Sequence, residues 1–162
     1  MQIDVTRAGP SEHETVSTIL VEAAAWIAAR GESIWELREI SPASIHNDVQ
    51  AGQYFLAWSS DEPVGTLRFT LDDSLVWPEA PHGEAAYVHR LAVRRVVAGR
   101  GVSSEMLGWA FMRARRSGCR YLRLDCDAHR SRLRLFYERL GFQLNSLRQT
   151  GPFLTARYER QL

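Results

Sequence analysis

The sequence contains no lysine, only two cysteines and no long apolar run. Cys119 and Cys126 are too few for a disulfide framework, and their spacing is not that of paired metal ligands. No window approaches the roughly 20 consecutive apolar residues of a membrane-spanning helix. The first residues also lack the basic and apolar regions of a secretory signal. We therefore expect a soluble cytoplasmic protein with no membrane partner.

Positive charge is carried by arginine alone, and it is concentrated in the second half of the chain. Residues 1–93 contain 5 Arg and 14 acidic residues, whereas residues 94–162 contain 15 Arg and 5 acidic residues. An absence of lysine is one expected result of codon usage in a GC-rich genome, but such codon usage does not account for this asymmetry. An arginine-rich half indicates a polyanionic partner, either a nucleic acid or a phosphorylated cofactor. The arginines are interleaved with MLGWAF and LRLFY, which have the pattern of buried faces and disfavour a nucleic-acid partner.

Length and composition predict one folded domain over residues 1–162, because 45% of the residues are hydrophobic. The periodicity predicts the element order β-α-α-β-β-β-α-β-α-β-β, a mixed α/β (α+β) domain with a β-α-β crossover in its second half. The first strand is predicted over residues 2–7. The first helix is predicted to begin with Ser11 as its N-cap, and the second with Ser41 as N-cap and Pro42 in its first turn.

The stretch RRVVAGRGVSSEML, residues 94–107, places two glycines between a strand pattern and a helix pattern. Backbone N–H groups at the start of a helix lack partners, and the helix dipole favours an anion there. The stretch lacks the Gly-Lys-Ser/Thr ending of a P-loop and the third glycine of a dinucleotide fingerprint. Taken alone, it is explained equally well by a phosphate site and by a plain structural turn.

Three segments together change this interpretation: YVHRLAVRRVVAGRGVSSEML, LRLDC and LRLFYERLGF. They resemble the GNAT N-acetyltransferase superfamily over residues 84–142, where a strand, a glycine turn, a helix and a final Y-E-x-x-G-F follow in this order. The sequence departs from that pattern at Ala98, where the superfamily has Arg or Gln, and at Ser103, where it has Gly or Ala. The resemblance implies a GNAT-like acyl-CoA N-acyltransferase fold that uses acetyl-CoA as the acyl donor.

The resemblance also implies direct transfer of the acetyl group to a primary amine of a small molecule or peptide. Tyr137 falls at the position of the general acid that protonates the departing thiolate, although a core aromatic is the alternative. A non-catalytic acyl-CoA-binding module and a longer acyl donor also remain open. The resemblance implies that the cofactor contacts two groups of residues: Leu91, Ala92 and Val93 with the pantetheine arm, and Gly99, Arg100, Gly101, Val102, Ser103 and Ser104 with the pyrophosphate. At the start of the last helix, Arg130 replaces an asparagine that contacts the cofactor in many relatives. We predict that Arg130 and Arg132 reach the phosphates instead, and solvated arginines are the alternative.

The base that deprotonates the amine is predicted among two residues, His89 and Glu84. Strict alternation puts His89 on one strand face with Tyr87, Leu91 and Val93 and puts Glu84 on the other, unless a bulge intervenes. A structural histidine and deprotonation by water are the alternatives. The five histidines, His129 among them, lack ligand spacing, so we predict no metal. Cys126 with His129 suggests a nucleophile pair, but Cys126 ends an apolar strand, where a buried inert cysteine is usual, and this role is disfavoured.

The acceptor pocket is predicted to contain Trp26, Trp35 and Trp77, with acidic residues nearby. Aromatic rings with carboxylates suit a cationic amine, while core tryptophans and solvated acids are the alternative. Exposed C-terminal strands leave open a homodimer.

Overall fold

The structure is a computed structural model, and it describes residues 2–162. Its seven strands are arranged in the order β1-β2-β3-β4-β5-β7-β6. The mixed α/β fold and the order of helices and strands agree with the prediction. In the described residues, no helix is both long and apolar enough to cross a membrane. The elements are β1 Asp4–Arg7, α1 His13–Ala28, α2 Pro42–Gln50, β2 Tyr54–Ser59, β3 Glu62–Thr70, β4 Ala85–Val93, α3 Val102–Arg116, β5 Tyr121–Asp127, α4 Ser131–Arg139, β6 Gln143–Thr150 and β7 Phe153–Gln161, with 3₁₀ turns at Pro10–Glu12, Leu37–Glu39 and Arg95–Val97.

The helix starts test the predicted caps. The α2 prediction is confirmed, because Ser41 Oγ accepts a hydrogen bond from the Ser44 N–H and Pro42 occupies the first turn. The prediction for α1 is wrong, since Pro10–Glu12 forms a 3₁₀ turn and the α-helix begins only at His13. The Glu12 carboxylate accepts the Gly9 N–H at 2.6 Å and closes that turn in place of Ser11. Strand β1 is also shorter than expected, beginning at Asp4.

Backbone contacts divide the chain into two compact units, which we describe separately. The first comprises the chain up to Arg68 together with Arg90–Leu107. Here β2 pairs antiparallel with both β1 and β3, and the apolar faces of α1 and α2 bury their side chains in one core. Residues of that core include Val16, Ile19, Leu20, Ile45, Val49, Tyr54, Leu56 and Ala92.

The second unit comprises Phe69–His89 and Gly108–Leu162. In it β5 lies parallel to the first part of β4 and antiparallel to β7, and β7 forms a hairpin with β6. The parallel β4–β5 pair, with α3 between them in sequence, is the predicted β-α-β arrangement. One domain over residues 1–162 stays a prediction.

Candidate active site

The glycine loop lies in the first unit, between β4 and α3. Gly99 and Gly101 have φ values of 77° and 85°. A Cβ at either position would meet nothing within 4 Å, so glycine is required there by backbone conformation and not by space. The Glu105 N–H donates to the Gly101 carbonyl at 3.0 Å and closes the first turn of α3. The N–H groups of Val102, Ser103 and Ser104 precede that bond and have no helix carbonyl to reach, which is the arrangement of an anion cradle.

The side chains of this loop differ in exposure. Val102 is buried and fixes the start of α3, whereas Ser103 and Ser104 are half-buried. Arg100 is exposed and forms no ion pair or side-chain hydrogen bond within the described residues. At the end of β4, Ala92 is buried between the half-buried Leu91 and Val93.

Two further arginines of the predicted cofactor set begin α4 in the second unit. Arg130 is the N-cap residue of α4, and its N–H donates to the Asp127 carbonyl at 3.1 Å. Arg132 is exposed in the first turn. Contact of Arg130 and Arg132 with the cofactor phosphates stays a prediction.

Tyr137 is on the buried face of α4, also in the second unit. Its ring contacts Phe136, Phe142 and Tyr158, with centroids 5.7 to 6.1 Å apart. Burial, with Cys126 and Asp125 nearby, raises the pKa of Tyr137 well above its usual range. The phenol is consequently neutral and a hydrogen-bond donor throughout the working pH range.

Hydrogen bonding separates Tyr137 from the other buried tyrosines. The hydroxyls of Tyr54, Tyr87 and Tyr158 accept hydrogen bonds from Arg90, Arg123 and Arg134, respectively. Within the part of the chain that the structure describes, the Tyr137 hydroxyl has no such partner. A core tyrosine normally places its hydroxyl against a polar group, so this one is suited to an incoming ligand.

A second group of polar side chains lies where β4 and β5 stop pairing. The last paired residues are Tyr87 and Arg123, and His89 and Asp125 stand two residues further along each strand, on the same face. Asp73, from the segment before β4, completes the group. One ligand atom from each of Asp73, His89 and Asp125 lies within 4.8 Å of the others, and all three residues are half-buried.

A hydrogen bond to Thr70 holds the His89 ring in place. The Thr70 hydroxyl oxygen lies 2.9 Å from the Asp72 carbonyl oxygen. His89 Nε2 lies 3.0 Å from the same hydroxyl oxygen. When the hydroxyl hydrogen is directed to Asp72, Nε2 is the donor to Thr70, and when it is directed to His89, Nε2 is the acceptor. Just beyond His89, Arg90 has a φ of 51°, which interrupts the strict alternation of β4.

Electrostatics give Asp125 a distinct character. Burial, together with the nearby Asp73 carboxyl, raises the pKa of Asp125 to about 6. Burial likewise raises the pKa of the neighbouring Cys126 thiol to about 11, which makes it a poor nucleophile. His129 lies 3.0 Å from the Asp127 carboxylate, which makes Asp127 its partner. The group formed by Asp73, His89 and Asp125 can hold a cationic group and accept a proton. The absence of a metal stays a prediction.

Sequence reasoning missed Asp73 and Asp125. Asp125 sits inside the apolar-looking run YLRLDCD, and only the register of β4 against β5 shows that it faces His89. Asp73 lies in a polar loop whose path the sequence does not reveal. An aspartate inside a buried strand was the one available signal.

Glu84, the other predicted base, has a structural partner. Its carboxylate lies 3.0 Å from Arg123 Nη1, and Glu159 lies 3.1 Å from Nε of the same guanidinium. Because Arg123 is only 6% exposed, these two carboxylates balance a buried charge. The geometry therefore favours His89 over Glu84 as a proton acceptor.

The three predicted acceptor tryptophans each pack against protein groups. Trp77 is 3% exposed and lies between the guanidinium groups of Arg123 and Arg157, each 4.5 Å from its ring centroid. Trp26 lies beneath the guanidinium groups of two arginines of the first unit, and Trp35 packs against the core of that unit. Their contact with an acceptor stays a prediction.

Comparison with known proteins gives a consistent result. The profile of the Acetyltransferase (GNAT) family matches residues 20–142. The chain is 30% identical over 148 residues to YesJ, an uncharacterized N-acetyltransferase of Bacillus subtilis (strain 168), covering 87% of this chain and 82% of YesJ. A GNAT-family acetyltransferase structure from Listeria monocytogenes 4b F2365 superposes with a TM-score of 0.83 at 21% identity, covering 99% and 95% of the two chains. The PaiA N-acetyltransferase of Thermoplasma acidophilum, solved in complex with coenzyme A, gives 0.80 at 16% identity over 100% of both chains.

Proposed function

Because the chain belongs to the acetyltransferase (GNAT) family, we propose that it transfers the acetyl group of acetyl-CoA directly to a primary amine of a small molecule or peptide. The observation that carries this proposal is the glycine loop, with two positive φ values leading into the open first turn of α3. The coenzyme A bound by PaiA supports the choice of donor. A non-catalytic binding module is disfavoured, because the chain also holds a buried phenol and a proton-accepting cluster.

The loop binds the donor through its backbone. The N–H groups of Val102, Ser103 and Ser104 would hold the pyrophosphate, and the exposed Arg100 would add a charged hydrogen bond. Backbone groups of Leu91–Val93 would pair with the pantetheine arm. Arg130 and Arg132 would reach the remaining phosphates.

The acetyl transfer itself needs three functions from the chain. The Asp73–His89–Asp125 cluster holds the ammonium group of the acceptor and takes its proton. The amine lone pair then attacks the thioester carbonyl carbon, and a backbone N–H of β4 stabilises the oxyanion. The carbonyl re-forms as the C–S bond breaks, and Tyr137 donates its hydroxyl proton to the departing thiolate. The second proton of the attacking nitrogen is released as the neutral amide forms, and through solvent it restores the Tyr137 phenol.

The same cluster restricts the class of acceptor. Two carboxylates beside the reacting nitrogen attract a cationic amine and repel an acceptor with its own carboxylate close by. We therefore favour simple alkylamines and peptide amines over free α-amino acids.

Calorimetric titration tests the donor site. Acetyl-CoA and dephospho-CoA should bind, while adenosine 3′,5′-bisphosphate, which lacks the pyrophosphate and pantetheine, should bind much more weakly. A screen of amines that follows release of the CoA thiol then tests turnover. If no acyl-CoA binds, the proposed function is wrong.

Replacing Arg100 with alanine should weaken acetyl-CoA binding about tenfold, because a hydrogen bond between charged groups contributes about 1.5 kcal/mol or more. The dissociation constant from the same titration measures this effect. Arg115→Ala is the matched control, since Arg115 is also exposed but lies in the last turn of α3. Equal affinities of the two variants would contradict the phosphate role of Arg100.

A further inference from the structure

The start of the glycine loop is tied to the middle of α1 by one carboxylate. Glu22 Oε1 accepts the backbone N–H of Arg95 at 2.7 Å. Its other oxygen, Oε2, accepts from Arg94 Nε at 3.1 Å. Glu22 thus contacts both residues that follow β4, and all three lie in the first unit.

The Glu22 carboxylate caps the 3₁₀ turn Arg95–Val97. The 3₁₀ turn Arg95–Val97 has Arg94 as its N-cap residue, and the side chain of Arg94 makes no capping hydrogen bond. Arginine has no acceptor atom with which to satisfy the first N–H of the turn. Glu22 supplies that acceptor from a distant helix and places a negative charge at the positive end of the turn.

Trp26, one helical turn beyond Glu22, extends the contact. The Arg95 guanidinium lies 4.0 Å from the Trp26 ring centroid, and that of Arg30 lies 3.5 Å from it. Arg30 is itself held by a hydrogen bond of 2.9 Å from Nη1 to the Trp26 carbonyl. The guanidinium groups of Arg94 and Arg95 therefore contact Glu22 and Trp26 of α1, although their position beside the loop suggests phosphate binding.

We propose that Glu22, supported by Trp26, is a positioning residue that holds the start of the glycine loop in the conformation that binds the pyrophosphate of acetyl-CoA. The inference rests on the proposed function. Gly99 and Gly101 have wide conformational freedom, so the open N–H groups of α3 are oriented only if the preceding turn is fixed. A fixed turn lowers the ordering cost of binding, because the loop does not have to be immobilised when the cofactor arrives.

Two substitutions at Glu22 test this inference. Glu22→Ala removes both contacts and should raise KM for acetyl-CoA about tenfold, leaving kcat within about twofold. Glu22→Gln keeps an oxygen for the Arg95 N–H and should raise KM only about two- to threefold. Glu14→Ala is the matched control, because Glu14 is an exposed residue of the same helix. Hydrogen exchange of the amides of residues 95–101 should be faster in Glu22→Ala and unchanged in Glu14→Ala.

The outcomes separate this inference from the proposed function. If wild-type protein binds acetyl-CoA and Glu22→Ala binds it equally well, the inference alone is overturned. A loss of thermal stability and kcat with no change in KM would also overturn it, because that is the result of a merely structural contact. If wild-type protein binds no acyl-CoA, the proposed function fails and this inference fails with it.

Discussion

Replacing Tyr137 with phenylalanine is expected to lower kcat roughly 10²- to 10³-fold and to leave acetyl-CoA affinity unchanged. The substitution removes one oxygen that has no hydrogen-bond partner within the described residues, so the packing against Phe142 and Tyr158 is retained. The departing thiolate then loses its hydrogen-bond donor. Steady-state kinetics with a reactive amine and calorimetry with acetyl-CoA measure the two quantities.

Tyr158→Phe is the matched control, and its expected effects are the reverse. The Tyr158 hydroxyl donates to Glu138 Oε1 at 2.7 Å and accepts from Arg134 Nε at 2.9 Å. Its loss should lower the melting temperature by about 2 to 4 °C, the effect of losing about 1 kcal/mol in a chain of this size, while kcat stays near that of wild type. If Tyr137→Phe instead loses stability and keeps its kcat, Tyr137 is a core aromatic.

The sequence was sufficient to predict those parts of the structure that neighbouring residues determine. The α2 start follows from Ser41 and Pro42 alone, and the positive φ values at Gly99 and Gly101 follow from glycines between a strand and a helix. The predicted start of α1 was wrong because the Glu12 side chain, and not that of Ser11, caps the first turn by accepting the Gly9 N–H.

The parts of the site that could not be predicted depend on long-range pairing. The Asp125 environment follows from the register of β5 against β4, and no local pattern encodes that register. Trp77 appears in the sequence as a loop aromatic available to a ligand. Only the fold shows that Arg123 and Arg157 cover its ring.

Replacing Asp125 with asparagine is expected to lower kcat/KM about 100-fold at pH 7, because the cluster that takes the acceptor's proton loses the carboxylate beside His89. With a pKa of about 6, Asp125 in the wild type ionises as the pH rises through that value. The wild-type profile of kcat/KM against pH should therefore show a rising limb near pH 6. That limb should be absent in Asp125→Asn, which the same profile measures.

Asp125→Asn is expected to stabilise the fold at pH 7, although it lowers activity. The folded protein holds the Asp125 proton more tightly than the unfolded chain, since the pKa is raised from 3.8 to about 6. Ionisation of Asp125 therefore lowers the free energy of unfolding progressively between about pH 4 and pH 6. Above pH 6 the full loss is about 3 kcal/mol. Asp125→Asn should unfold at a higher denaturant concentration than wild type at pH 7 and at the same concentration below pH 4.

Asp127→Asn, on the same strand, is the matched control. The His129 N–H donates to the Asp127 carboxylate at 2.8 Å and, with the His129 ring, lowers the pKa of Asp127. Removing this charge should slightly destabilise the fold at pH 7 and leave the limb near pH 6 in place. A variant at 125 that lost both activity and stability would indicate general damage to β5. Gain of stability with loss of activity is instead the signature of a carboxylate that is kept, at a cost to the fold, for its chemistry.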